Sequence, residues 1–162
     1  MFLSIHELGL GRDASSGAEN RRLEIGFASG RFPFSNIPYG IRPRTSAEEA
    51  AWPALRGVIF RQATEIFLRL LRGEVIGTND LETKLHLTRK NFRTDEEWAK
   101  VTGLTKNSDF FEVAPFWDFE KVGVIPFEAP MRNLRLTIGA HDAETQDYAN
   151  TILPCGVFNL SI

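Results

Sequence analysis

Residues 46–73 read SAEEAAWPALRGVIFRQATEIFLRLLRG, and this stretch decides the fold. Ser46-Ala47-Glu48-Glu49 has the form of a capping box. In such a box a serine oxygen accepts from a backbone N–H three residues on, and a glutamate reaches back to the serine N–H. Pro53 has no N–H to donate. The pattern therefore predicts a short helical turn over 47–51 and a main helix over 53–72, with Pro53 in its first turn and Gly73 at its end. Along that helix Leu55, Ile59, Ala63, Ile66 and Leu70 recur at helical spacing. Phe60, Phe67 and Leu71 make a second, offset apolar stripe, while Arg61, Glu65, Arg69 and Arg72 hold the polar face. A helix packed on one side needs a narrower apolar band than this. Cover on two sides is expected, either from the chain's own sheet and loops or from a second subunit.

Outward from the helix, period-two alternation marks the strands. Leu23, Ile25 and Phe27 face inward on one of them. A preceding strand, Phe2–Leu10, is placed to pair with it as a hairpin across the loop at 11–17. Residues 30–44 carry Pro33, Pro38 and Pro43 and read as extended and irregular. Leu81–Arg89 alternates with Leu81, Thr83, Leu85 and Leu87 inward. Thr94-Asp95-Glu96-Glu97 is a second capping box, opening a short helix through Val101 that stops at Gly103. Pro126 and Pro130 argue for an edge strand or a bend after Val122. Arg132–Ala140 reads as a strand with Leu134, Leu136 and Ile138 inward. Asp142 caps a single helical turn through Tyr148, and Phe158, Leu160 and Ile162 alternate in a last strand. The elements predict one domain, residues 1–162, of the α+β class. Its mainly antiparallel sheet packs against one long helix (about 53–72) plus one or two short helices.

The totals narrow the function classes. A chain of 162 residues, 43% hydrophobic and 25% charged, is ordinary globular material. Its net charge of -2 is too small to imply nucleic acid or a membrane surface as a partner. The charge is uneven: residues 1–72 hold ten arginines and seven acids, a sum of +3, and residues 73–162 hold nine bases and fourteen acids, a sum of -5. Such a subunit can stack head to tail. Cys155 is the sole cysteine, which excludes an internal disulfide and any multi-cysteine metal site. The first residues lack the basic and apolar regions of a signal peptide, and no apolar run approaches bilayer length. The expected location is the cytoplasm, or a particle assembled there.

Candidate chemistry is sparse. His6 and His86 fall on the polar faces of predicted strands, where solvation is the simple reading. His141-Asp142 has the look of the metal-binding pair of certain phosphohydrolases, but a loop histidine beside a helix-capping aspartate explains it as well. Cys155, Ser15 and Ser16 lie in no activating pattern. Phe32–Ile41 resembles the opening motif of the N-terminal domain of fumarylacetoacetases. The capped helix after Ile41 departs from the small β-barrel of that domain, and the chain lacks the length and metal-ligand carboxylates of the catalytic domain. That resemblance carries no function. No catalytic, cofactor-binding or metal-binding residues are assigned.

The most unusual stretch is the aromatic, acidic segment 109–120. Its aromatics fill a core, anchor an interface or face a sugar, with Glu112 and Asp118 as a carboxylate pair able to act as acid and base. The two-sided helix and the apolar C-terminal strand favour a non-enzymatic structural subunit of a homo-oligomer or hetero-assembly, such as a virion, phage-tail or secretion-apparatus component. Its expected interface residues are Phe60, Phe67, Leu71, Phe116, Trp117, Phe158 and Ile162. The alternative is a small ligand-binding protein or carbohydrate-directed enzyme built on segment 109–120.

Overall fold

The computed structural model describes residues 23–30, 36–124, 134–140 and 142–158. Helix α1 runs unbroken from Ser46 to Leu71 and contains Pro53, where the sequence predicted two pieces. Pro53 removes one backbone bond, yet the turn holds because Ala51 and Leu55 on either side of it are fully buried. The N-cap is Thr45, whose Oγ1 accepts from the Glu48 N–H at 3.1 Å. Glu48 in turn accepts from the Arg44 N–H at 2.6 Å. Gly73, at φ 86°, ends the helix as expected. Its N–H bonds the Leu70 carbonyl and the Glu74 N–H bonds the Arg69 carbonyl, each at 3.0 Å, which is the double closure of a Schellman ending.

In chain order the strands are β1 (Leu23–Ala28), β2 (His86–Leu87), β3 (Phe111–Glu112), β4 (Leu134–Gly139) and β5 (Gly156–Val157). The later helices are α2 (Asp95–Thr105) and α3 (Ala143–Ile152). The expected mainly antiparallel sheet is overturned. Strands β1, β4 and β5 lie side by side in that order, and both pairings are parallel. Only the two-residue strands β2 and β3 pair antiparallel. The reason lies in α3, which runs for 10 residues instead of the single turn read from its Asp142 cap. Parallel neighbours require a crossover, and α3 is that crossover between β4 and β5. The predicted hairpin partner Phe2–Leu10 lies outside the described residues.

Helix α1 is covered on two sides by its own chain. Toward its N-terminus, Ala51, Leu55 and Ile59 pack with Leu85, Leu87, Phe92, Trp98, Val101 and Val113. Toward its C-terminus, Leu68 and Leu71 pack with Leu136 and Ile138 of β4 and Ala149 of α3. The first layer is irregular: Leu81, Thr83, Leu85 and Leu87 are buried in alternation as predicted, but only His86 and Leu87 enter a strand. Helix α2 starts on its predicted cap, with Thr94 Oγ1 accepting from the Glu97 N–H at 3.2 Å. It continues past Gly103 to Thr105, where Lys106 turns left-handed.

Candidate functional site

The expected interface residues scatter. Leu71 is only 4% exposed, enclosed by its own chain. Phe60 and Phe67 are half-buried and meet Phe27 of β1, with ring centroids 6.4 and 5.2 Å apart. The apolar surface of α1 is thus hidden largely from within. Phe116 and Trp117 are half-buried against the N-terminal core. Phe158, in contrast, is 58% exposed. Ile162 lies outside the described residues.

Phe158 follows a sheet with two unlike faces. Leu136 and Ile138 turn toward α1 and α3. On the other face Glu24, Gly26, Ala28, Arg135 and Gly156 are exposed, and Val157 at the edge is 45% exposed. The pairing sets Glu24 opposite Arg135, Gly26 opposite Thr137 and Ala28 opposite Gly139. The Phe158 N–H continues the ladder by bonding the Ile138 carbonyl at 2.9 Å.

Sequence reasoning placed Glu65 on a solvated face, and the structure buries it completely. Its carboxylate accepts from the backbone N–H groups of Glu82 at 2.7 Å and Thr83 at 2.8 Å, and from Arg69 at 3.0 Å. Gln62, also buried, donates to the Thr83 carbonyl at 2.7 Å. These two side chains satisfy an extended segment that has no strand partner of its own. Burial pushes the Glu65 carboxyl upward, but the Thr83 and Glu82 N–H groups and Arg69 outweigh it and hold the group below the ordinary carboxylate range. Burial also raises the Tyr148 hydroxyl, whose oxygen lies 3.3 Å from a Glu82 carboxylate oxygen.

Segment 109–120 is stitched down at two points. Arg44 donates to the carbonyls of Ala114 at 2.6 Å and Pro115 at 3.1 Å, and its guanidinium lies 4.1 Å from the Phe116 ring centre. Thr78 Oγ1 accepts from the Phe119 N–H at 2.8 Å. Gly77 permits this approach, because a Cβ there would stand 2.3 Å from the Glu120 carbonyl oxygen. Held in this way, Trp117 lines a partly open cavity of about 110 Å³. Trp52, Arg56, Ile59, Phe60 and Ala63 of α1 form its longest wall, with Ala28, Ser29, Asn36 and Ile41 completing it. The Arg56 Nε is closed off from solvent and has no hydrogen-bond acceptor among the described residues. Among the described residues no carboxylate lines this cavity, and Glu112 and Asp118 are both exposed. The signal for this site was the run Trp52–Arg56–Phe60, three residues one helical turn apart.

The remaining candidates stay apart from it. His86 is exposed and stacks on Phe110 at 5.1 Å. Asp142 caps α3, accepting from the Thr145 N–H at 2.7 Å, whereas His6, Ser15, Ser16 and His141 lie outside the described residues. Cys155 is buried, which pushes its thiol up and away from reactivity. Among the described residues no group of acids, histidines and cysteine could hold a metal ion, and no helix is long and apolar enough to cross a membrane. No family model, curated protein or solved structure matches the chain.

Proposed function

We propose that the chain is a non-enzymatic subunit of a larger assembly, with the outer face of its parallel sheet as the docking surface. The observation behind this reading is the face of β1, β4 and β5 that no other described element covers, with Val157 and Phe158 exposed beside it. Parallel sheets are almost always covered on both faces. Small residues at Gly26, Ala28 and Gly156 let a partner approach closely, and Phe158 supplies an aromatic anchor of the kind enriched at contact centres. The uneven charge of the two chain halves suits a head-to-tail contact. Assembly in the cytoplasm, into a virion, phage tail or secretion apparatus, fits such a subunit.

Sedimentation velocity and native mass measurement test this directly. An assembled species is expected, and Phe158→Arg should shift it toward monomer. A wild-type chain that stays monomeric at high concentration would sink the reading. The carbohydrate-directed alternative draws support from Trp117 on the cavity wall. The carboxylates it would use for acid–base chemistry are absent from that wall.

A further inference from the structure

We infer that the cavity between α1 and Trp117 binds a small carboxylate carried on an apolar or aromatic body. This does not rest on the assembly reading: the cavity opens among residues of a single chain.

Charge comes first. Arg56 sits within the apolar wall of α1 and brings a guanidinium cation to the cavity. Yet the Arg56 Nε is shut away from solvent with no acceptor in reach among the described residues. The other arginines of α1 differ. Arg61 pairs with Glu144, Arg69 with Glu65 and Glu74, and Arg72 with Glu74. Arg56 is half-buried on the cavity wall and has no ion-pair partner among the described residues, so an anion entering the cavity would supply one.

The walls define the rest of the ligand. Trp52, Phe60 and Trp117 offer aromatic surface, with Ile41 and Ile59 beside them. Asn36 and Ser29 are the only other polar residues on the wall among those described, and the Asn36 amide already donates to the Ser29 carbonyl at 3.2 Å. A single cation matches a single negative charge. A carboxylate meets that condition and takes the fork of a guanidinium in plane, whereas a phosphate dianion would call for more positive charge than this wall holds. The cavity has room for several waters, so a one-ring acid is the appropriate scale. Nothing in the lining would transform such a ligand, and the inference is of binding alone.

The probes are benzoate, benzyl alcohol and inorganic phosphate, titrated into the whole chain while tryptophan fluorescence is followed. Benzoate should quench saturably, at least tenfold more tightly than either benzyl alcohol or phosphate. Arg56→Gln should abolish that preference. Ala63→Leu, which narrows the cavity and leaves the charge in place, should weaken benzoate and benzyl alcohol alike. Absence of saturable benzoate binding by the wild type overturns the inference, and so does equal binding of benzyl alcohol. Tighter binding of phosphate than of benzoate overturns it as well. These readings need no variant, so a misfolded Arg56→Gln protein cannot rescue it.

Discussion

The two sides of α1 are held by different means. Toward its C-terminus the helix lies on a regular parallel sheet, and the contacts are apolar: Leu68, Leu71, Leu136 and Ile138. A sheet satisfies its own backbone groups, so the helix covering it needs no polar residues. Toward its N-terminus and middle, α1 lies on the largely irregular chain between Ile76 and Val122. That chain has few ladder bonds, and the helix supplies the missing partners from side chains. Gln62 and Glu65 bond residues 82 and 83, and Arg44, just ahead of the helix, bonds residues 114 and 115. Irregular backbone can be buried here only because polar side chains inside the core receive it.

If this contrast is right, the costliest single change lies on the irregular side. Glu65→Ala orphans the buried Thr83 N–H and the part-buried Glu82 N–H and deprives Arg69 of one of its two carboxylate partners. It should cost about 4 kcal/mol in denaturant unfolding, the range for removing one partner of a buried pair. A loss below about 1 kcal/mol would mean that residues 82 and 83 find water instead. On the sheet side, Leu68→Ala should cost about 3 kcal/mol through cavity formation, with no added sensitivity to pH. The smallest effect sharpens the distinction. Glu65 has a folded-state pKa below its unfolded value. Its contribution is therefore complete above the unfolded pKa and lost as pH falls through the folded one. The acid limb of stability should flatten in Glu65→Gln and remain unchanged in Leu68→Ala.

The same contrast explains what was legible in the sequence. Caps at Thr94 and Asp142 and the stop at Gly73 are local chemistry, and they appear where they were read. Alternation at Leu23, Ile25 and Phe27 and from Leu81 to Leu87 reports burial faithfully. Alternation does not report direction, however, and a parallel neighbour satisfies it as well as an antiparallel one. The length of α3 was the missing clue, since Ala143–Ile152 has few apolar residues beyond Tyr148, Ala149 and Ile152 to mark a helix. The burial of Glu65 and the cavity at Arg56 were hidden for a related reason. Charged residues at helical spacing read as a solvated face unless their partners are known.

The residues alone determined the caps at Thr94 and Asp142, the stop at Gly73 and which side chains alternate toward a core, because caps and periodicity act over a few positions. Tertiary structure decided strand direction, the fate of the charged groups on α1, and which parts of the surface stay open. Those depend on segments far apart in the chain supplying, or failing to supply, each other's hydrogen-bond partners.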